Sequence, residues 1–318
     1  MPKEYKETYM RRTTSLDNHA SIKGYNFEKK FDMNKFLESF ATTGFQATEL
    51  AKAISITKTM QTENAHIILA FTGNAISSGL RDIITYLVKN KKVHSIITSA
   101  SGVEEDIIKT LKDFKIGHFN TPGNVLFEHG VGRIGNIFVP NDRYLELERF
   151  MNKLFKELPE TTNPLQITSE AGKKLDKTSY LYWANKNNIP VYCPGIVDGS
   201  LGDLAFFERQ RNKKFKIDVL SDHTDLIKKM LNTEKTGAII LGGGISKHYA
   251  LNANIFRDGL DYAVYLNEAS EAYGSDSGGN EEEAKTWAKI KLTAPTAKVK
   301  SDFTITFPLL VQGAFKGE

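Results

Sequence analysis

The sequence predicts an α/β fold, in which a mostly parallel sheet is flanked by helices. Short apolar runs rich in β-branched residues recur along the chain, with amphipathic stretches between them. Most of these runs are four to seven residues long, which is the length of a buried strand. The composition, 40% hydrophobic and 25% charged, is average for a globular domain and excludes disordered, collagen-like and coiled-coil chains.

The apolar runs predict seven strands, and apolar spacings of three and four predict eight helices between them. The predicted strands are His66–Thr72, Val93–Ser99, Asn136–Val139, Val191–Cys193, Gly237–Leu241, Tyr262–Leu266 and Phe303–Phe307. The predicted helices are Met33–Met60, Ser77–Lys89, Glu104–Lys112, Asp142–Leu158, Lys177–Asn187, Leu201–Arg211, Asp222–Leu231 and Glu281–Lys291.

A length of 318 residues allows one large domain or two ordinary ones. Periodicity is weakest in residues 1–30 and around Pro159–Asn163, and no Pro/Gly/Ser-rich linker separates two complete patterns. We therefore expect an irregular N-terminal extension, residues 1–23, and a single large domain over residues 24–318.

Charge and cysteine content bound the function. A net charge of +4, from 42 basic and 38 acidic residues, is too small to indicate a nucleic-acid-binding surface. The single cysteine excludes an internal disulfide framework and a cysteine-built zinc site, and fits a reducing compartment. With no apolar run near the roughly 20 residues of a spanning helix and no signal-peptide core in Met1–Asp17, we expect a cytoplasmic protein that does not enter the membrane. The five basic residues of Arg209–Lys216 fit a solvated helix end, or else a docking patch.

The segment "GVGRIG", with Gly130, Gly132 and Gly135, matches the spacing of the dinucleotide-binding fingerprint. That fingerprint works only between a strand and a helix, because the helix N-terminus holds the pyrophosphate. Here "NIFVP" follows, which reads as a strand. We interpret the match as a coincidence of spacing.

Small-residue turns directly after predicted strands are more informative. They occur in "AFTGNAISSG", "TSASGVEED" and "LGGGISKH". Such turns at the carboxyl edge of a parallel sheet present backbone N–H groups and helix N-termini to a ligand. Each alone fits the ordinary needs of an α/β loop, but three together predict a nucleotide or dinucleotide crevice in a Rossmann-like, doubly wound sheet.

Acidic residues accompany these turns and the later loops: Glu104, Glu105, Asp198, Asp203, Asp276 and Asp302. Each alone is explained as a partner of a helix dipole. If the loops converge, the pocket is anionic and suits a cationic small molecule such as a polyamine, with Trp287 or Tyr273 as an aromatic face.

His248 and Lys289 are the candidate proton-transfer and nucleophilic groups. His248 follows Gly242–Gly244, in the first turn of an expected helix, where a capping or packing role is the alternative. Lys289 lies near the C-terminus of a predicted helix whose N-cap is Asn280, so an ordinary dipole partner is the alternative. A nucleophilic lysine needs desolvation or nearby cations to lower its pKa, and Trp287 beside it hints at a buried site.

The order and character of several segments resemble the deoxyhypusine synthase family from about Gly24 to Val311. These segments are "NAISSGLRD", "TSASGVEEDIIK", "DGSLGD", "LGGGISKH", "NANIFRDGLDYAVYLN", "GSDSG", "WAKI" and "FPLLV". The resemblance implies an NAD-dependent aminobutyltransferase. Such enzymes oxidise spermidine, release 1,3-diaminopropane, hold the aminobutyl unit as an imine on a lysine, and pass it to one lysine of translation initiation factor 5A, where it is reduced.

The resemblance also implies roles for single residues. The covalent lysine matches Lys289 and the catalytic histidine matches His248. Substrate contacts match Glu104, Glu105, Asp203, Gly243, Asp276 and Trp287. NAD contacts match Asn74, Ser77, Ser78, Thr98, Ser99, Ala100, Asp198 and Asp302. The resemblance also implies a homotetramer whose active sites lie at dimer interfaces, and it implies no metal.

This chain departs from the family pattern at a few of these segments. Ala288 replaces the glycine of the family's "WGK", Tyr249 replaces a second histidine, Ser101 replaces a glycine, and Glu268 replaces a threonine after Asn267. Two other functions stay open. A homospermidine synthase-like enzyme would pass the aminobutyl unit to putrescine or another free amine, and a regulatory protein would bind NAD or polyamine without catalysis.

Overall fold

The computed structural model describes residues 15–316, and its centre is a six-stranded, fully parallel sheet. The six strands are β1 His66–Phe71, β2 Ser95–Thr98, β7 Val191–Tyr192, β9 Thr236–Leu241, β10 Tyr262–Leu266 and β11 Thr296–Val299. The chain enters at β1, winds outward to β2 and β7, then crosses back to β9 and winds outward to β10 and β11. This is the strand order of a doubly wound, Rossmann-like sheet, with the switch point between β1 and β9.

Helices connect the strands and cover both faces of the sheet. They are α1 Met33–Thr43, α2 Phe45–Thr62, α3 Asn74–Ser77, α4 Leu80–Lys89, α5 Ala100–Leu111, α6 Gly123–Glu128, α7 Asp142–Glu157, α8 Pro164–Lys174, α9 Tyr180–Asn187, α10 Ser200–Arg211, α11 Val219–Leu231, α12 Gly244–Asn252, α13 Glu281–Thr286 and α14 Phe303–Phe315, with 3₁₀ turns at Ile255–Arg257 and Glu271–Tyr273. Within residues 15–316, no helix combines the length and apolarity needed to cross a bilayer.

The alternation of side chains along β1 creates two cores. Ile67, Leu69 and Phe71 point into one apolar cluster, which also holds side chains of α2, α4, α5 and α14. Ile68 and Ala70 point into the other, which holds side chains of α11, α12 and α13. Because both faces are buried, the strands are continuous apolar runs, and this is why the sequence revealed them.

Two small sheets lie outside the main one. An antiparallel sheet joins β3 Lys115–Ile116, β4 Val131–Ile134 and β5 Ile137–Pro140, and a parallel pair joins β6 Thr161–Thr162 to β8 Lys216–Ile217. The "GVGRIG" segment forms β4 and its turn into β5. The segment therefore lies in a β-hairpin and is followed by a strand, as predicted, rather than by a helix.

The predicted strand Phe303–Phe307 is wrong. These residues begin α14, and the last strand is Thr296–Val299. The β-branched residues Thr304, Ile305 and Thr306 suggested a strand, but Asp302 Oδ1 accepts the Thr304 N–H at 2.7 Å and starts the helix. Phe307 and Leu310 then bury their side chains in the first core, and this packing outweighs the local preference.

Several helix limits also differ from the prediction. The predicted helix Met33–Met60 is two helices, because Gly44 has a φ of 95° and breaks it. The predicted helix Ser77–Lys89 is split at Ser78–Gly79 into α3 and α4, and the predicted helix Glu281–Lys291 ends at Thr286. Helix α8 was not predicted from the sequence; Asn163 Oδ1 caps it by accepting the Gln166 N–H. Of the expected N-terminal extension, residues 1–14 lie outside the described residues, and residues 15–23 contain no helix or strand.

Candidate functional site

The turns that leave β1, β2 and β9 lie side by side at the carboxyl edge of the sheet, around the switch point. β1 pairs with both β2 and β9, so Gly73, Ser99 and Gly242 follow neighbouring strands. Two of these turns touch: a Cβ on Gly73 would lie 1.9 Å from Ser101 Oγ. Ser101, which replaces a family glycine, therefore fits only because residue 73 has no side chain. This is the crevice position expected for a ligand of a doubly wound sheet.

The cofactor contacts implied by the resemblance fall into this region. A cavity of about 620 Å³ opens beside the turn after β1. Its walls are Asn74, Ser77, Ser78, Gly79, Lys109, Phe114, Lys115, Ile116, Phe119, Ile134, Gly135, Asn136, Ile137, Asp302 and Thr304. Four of the implied cofactor residues are among them, and the "GVGRIG" hairpin supplies part of the opposite wall.

The other implied cofactor residues lie at neighbouring strand ends. Thr98 is buried and its hydroxyl donates to the Phe71 carbonyl at 2.9 Å, which ties β2 to β1. Ser99 and Ala100 begin α5, and Asp198 is exposed in the loop after β7. None of these four residues lines the 620 Å³ cavity itself.

Glu104 and Glu105 are buried in the second turn of α5 rather than at its N-terminus. Glu104 Oε2 accepts the Leu201 N–H at 3.0 Å and so caps α10. Glu105 Oε2 accepts the Ser77 hydroxyl at 2.5 Å. Burial raises the pKa of both carboxyls, that of Glu105 to about 8. Glu105 is an implied substrate contact and Ser77 is an implied cofactor contact, so their hydrogen bond links the two kinds of contact.

Asp276 lies in the loop between β10 and α13, which rests on the turn after β9. A Cβ on Gly243 would lie 2.3 Å from Ser277 Oγ, and the Gly244 N–H donates to that oxygen at 2.9 Å. Buried Lys247 donates to the carbonyls of Asp276 and Gly279, the latter at 2.7 Å. Gly243 is therefore required for the close approach that positions the exposed Asp276 carboxylate.

Lys289 and His248 are in contact. Lys289 Nζ lies 3.3 Å from His248 Nε2, and the Asn252 side-chain amide lies 3.0 Å from His248 Nδ1 and orients the ring. His248 is exposed in the second turn of α12, one turn later than predicted, and Lys289 is half-buried. Trp287 is 65% exposed in the single chain, so the burial that its presence suggested is not provided by this chain alone.

The main chain that carries Lys289 ends α13 in a Schellman motif. The Lys289 N–H donates to the Ala284 carbonyl at 3.0 Å, and the Ala288 N–H donates to the Lys285 carbonyl at 3.0 Å. This motif needs a left-handed residue, and Ala288 has a φ of 54°. The predicted N-cap Asn280 is confirmed, since its Oδ1 accepts the Glu283 N–H at 2.9 Å.

The implied residues form two groups in the single chain. The cofactor group comprises Asn74, Ser77, Ser78, Thr98, Ser99, Ala100, Glu104, Glu105, Asp198, Asp203 and Asp302. The lysine group comprises Gly243, His248, Asp276, Trp287 and Lys289. Within residues 15–316, no side-chain hydrogen bond or salt bridge joins a member of one group to a member of the other. Asp203, in the first turn of α10, is exposed near Glu104.

Sequence reasoning missed several residues that support the two groups. Lys109 lines the cavity, Lys247 holds the Asp276 loop, and Asn252 orients His248. Asn267 is buried at the end of β10, and its Oδ1 has no hydrogen-bond partner among residues 15–316. The position of Asn252 four residues after His248 was a usable signal, because i and i+4 share a helix face. The others depend on contacts between distant segments.

Comparison with known proteins gives a consistent result. A family model described as deoxyhypusine synthase matches residues 35–314. A deoxyhypusine synthase of Senecio vernalis is 42% identical, over 93% of this chain and 89% of the relative. Homospermidine synthase 2 of the same plant is 40% identical, with the same coverage. The crystal structure of a putative deoxyhypusine synthase from Entamoeba histolytica has a TM-score of 0.67 and 27% identity, over 93% of this chain and 97% of that one.

Proposed function

The chain belongs to the deoxyhypusine synthase family, and on that premise we propose that it is an NAD-dependent aminobutyltransferase acting on spermidine. The proposed acceptor is one lysine of the translation initiation factor 5A precursor, and the proposed place of action is the cytoplasm. The observation that carries the proposal is the contact between Lys289 Nζ and His248 Nε2, at 3.3 Å. It places a potential nucleophile beside an imidazole ring, which can accept or return a proton.

The cofactor group fits a dinucleotide. The 620 Å³ cavity is within the size range of cofactor sites and combines apolar walls with polar side chains. Asn267 Oδ1, which accepts no hydrogen bond from the part of the chain that the structure describes, offers a buried acceptor at the same edge of the sheet. The dinucleotide would be held by Asn74, Ser77, Ser78 and Asp302. When bound, NAD supplies a hydride acceptor for amine oxidation and, once reduced, a hydride donor for the final reduction.

The carboxylates fit the cationic substrate. Glu105, Asp203 and Asp276 would bind ammonium groups of spermidine, and the exposed face of Trp287 would pack on its methylene chain. Glu104 is occupied with the α10 N-terminus, so we assign it to positioning the first turn of α10, which carries Asp203, rather than to direct binding.

Lys289 would form the covalent link. Its neutral amine attacks the oxidised aminobutyl carbon and displaces 1,3-diaminopropane, leaving the unit as an imine on Nζ. His248 is within reach to remove the proton that Lys289 must lose before attack, and to return it to the departing amine. The acceptor lysine then displaces Lys289 in the same way, and reduction of the new imine completes the transfer.

We further propose that a second copy of the chain completes the site, within a homotetramer. Hydride transfer requires the substrate carbon within about 3.5 Å of the cofactor ring. Among residues 15–316, no side-chain hydrogen bond or salt bridge joins the lysine group to the cofactor group, and Trp287, Val197 and Phe206 expose apolar surface near them. Contact with another copy would cover this surface and exclude the water that hydrolyses an imine.

The test is to incubate the protein with NAD and labelled spermidine, reduce with borohydride, and map the labelled peptide. We expect label on Lys289, none in Lys289→Arg, and normal labelling in the control Lys285→Arg, whose side chain pairs with Glu282. Label on another peptide would refute the assignment of Lys289.

A homospermidine synthase-like activity is the second candidate, because the 40% identity to homospermidine synthase 2 is nearly equal to that of the synthase from the same plant. Both reactions need the lysine imine, so the acceptor decides between them. Label entering the initiation factor supports the first activity, and label entering putrescine to give homospermidine supports the second.

A further inference from the structure

Lys109 is a partly buried lysine in the third turn of α5 that the proposed mechanism does not use. Its Nζ donates to three consecutive carbonyls: Ile76 at 2.7 Å, Ser77 at 3.1 Å and Ser78 at 2.8 Å. These carbonyls belong to the end of α3 and the residue after it, where a helix leaves acceptors unsatisfied. The Lys109 ammonium group therefore takes the place of the backbone N–H donors that these three carbonyls lack.

The same turn carries cofactor contacts of the proposed function. Asn74, Ser77 and Ser78 line the 620 Å³ cavity, and so does Lys109. One turn earlier on α5, Glu105 accepts the Ser77 hydroxyl. Helix α5 thus holds the turn at two points. Glu105 binds the Ser77 side chain of the turn, and Lys109 binds the main-chain carbonyls of the turn.

A lysine in a cofactor cavity is at first sight a phosphate ligand. An ammonium group has three N–H donors, and here three carbonyls accept them. A phosphate contact would require at least one of these carbonyls to lose its partner in a partly buried place, which is unfavourable because water cannot fully replace the lost donor. The geometry therefore favours a role in shaping the turn.

We propose that Lys109 is a positioning residue, which holds the Asn74–Ser78 turn in the conformation that binds the dinucleotide cofactor. This inference rests on the proposed function, because it assumes that the cavity takes NAD. It requires Lys109 to be protonated, since a neutral amine has only two hydrogens for three carbonyls.

The surroundings of Lys109 make this requirement sensitive to pH. Desolvation, and then Arg81, lower the pKa of Lys109 to about 8, while Asp82, Glu105 and Asp106 act in the opposite direction. Across the cavity, Lys115 and Asp302 are the charged side chains that face it. Affinity for NAD should accordingly fall as pH rises through about 8.

The test measures NAD binding by calorimetry, without turnover, for the wild type, Lys109→Met, Lys109→Arg and Lys112→Met. We expect Lys109→Met to weaken binding roughly 10- to 100-fold, the loss typical when a group that orients binding residues is removed. Lys109→Arg should restore most of the affinity at pH 7 and abolish its decline above pH 8, because arginine does not titrate there. The control Lys112, which pairs with Asp142 and Glu146 outside the cavity, should behave as wild type.

Hydrogen exchange separates the two roles of Lys109. In the positioning role, Lys109→Met accelerates amide exchange of residues 76–80 before any ligand is added. Weakened NAD binding with unchanged exchange would make Lys109 a direct ligand and overturn the proposal, as would wild-type affinity in Lys109→Met. If Lys109→Met does not fold, the pH profiles decide: a decline above pH 8 that persists in Lys109→Arg also overturns it. Absence of NAD binding by the wild type would refute the proposed function itself.

Discussion

Ala288 is the residue at which this chain departs from its family in the most testable way. It occupies the left-handed position of the motif that ends α13, where glycine is usual. An alanine in this conformation costs roughly 1–2 kcal/mol, because its Cβ meets the neighbouring carbonyl. The motif persists because the two hydrogen bonds to Ala284 and Lys285 and the packing of the following segment require it.

We predict that Ala288→Gly stabilises the protein. The release of backbone strain outweighs the extra entropy that glycine gives to the unfolded chain, for a net gain of about 0.5–1 kcal/mol. Urea denaturation measures it. Ala284→Gly, at an ordinary helical position of the same helix, should instead lose more than about 1 kcal/mol, because it lowers helix propensity and also removes a methyl group from the second core. A loss of stability in Ala288→Gly would mean that the left-handed conformation costs less than stated.

Glu105 is a buried carboxyl whose pKa burial raises to about 8. In the unfolded chain the same carboxyl ionises near its ordinary value of 4.5. Because only the unfolded state loses the proton between these two values, this group costs stability as pH rises from about 4.5 to about 8.

We predict that Glu105→Gln flattens this dependence. The amide keeps the shape of the side chain and can accept from Ser77, but it never ionises, so at pH 8 the variant should exceed the wild type by about 1–3 kcal/mol. Urea denaturation at pH 5, 6.5 and 8 measures the slope, with Glu282→Gln as an exposed control. Parallel slopes for the variant and the wild type would contradict the prediction.

At the scale of elements, the segment after α13 is fastened to the turn before β10. The Leu260 N–H donates to the Lys289 carbonyl and the Lys291 N–H to the Leu260 carbonyl, both at 3.0 Å. Lys291 Nζ donates to Asp261 Oδ1 at 2.5 Å, and Asp261 Oδ2 accepts from the Thr236 N–H at the start of β9. Two backbone bonds and one ion pair therefore tie the catalytic candidate to the sheet.

We predict that Lys291→Met lowers kcat about tenfold while changing KM for spermidine little, because the backbone of Lys289 loses one of its three ties. The half-exposed ion pair itself should cost only about 0.5–1 kcal/mol of stability. Lys291→Arg should restore the rate, since arginine can also pair with Asp261. Lys235→Met, which breaks the Lys235–Glu63 pair on other elements, is the control. Equal rates for Lys291→Met and wild type would show that the backbone bonds suffice.

For the whole molecule, the decisive feature is that no side-chain hydrogen bond or salt bridge within residues 15–316 joins the cofactor group to the lysine group. Lys289 and His248 touch each other within one chain, whereas the cavity with Asn74 lies between α3, α5 and the β3–β5 sheet. If a partner copy joins the two groups, every working site draws on two chains.

We predict that two inactive variants, Asn74→Ala and Lys289→Ala, recover activity when co-expressed. Random assortment of equal amounts would leave about a quarter of the composite sites intact. Lys289→Ala co-expressed with His248→Ala should stay inactive, because both changes fall in the same group. Recovery is measured as spermidine-dependent release of diaminopropane, and its absence in a mixed oligomer would place both groups of each site in one chain.

The sequence by itself determined the doubly wound class, the strands and the carboxyl-edge turns, because a strand buried on both faces must be a continuous apolar run and its following turn needs small residues. It also determined the family, through motifs such as "LGGGISKH" and "WAKI". Local preference failed at Phe303–Phe307, where β-branched residues form a helix under the control of the Asp302 cap and core packing.

Only the tertiary structure decided which side chains meet. Lys289 and His248 are 41 residues apart, and Lys109 lies 31–33 residues from the carbonyls it binds. Neither pairing has a local signature, because contacts between distant segments follow from how whole elements pack rather than from neighbouring residues. The same holds for Ala288, whose left-handed backbone is imposed by the end of a helix and the fastening of the segment behind it.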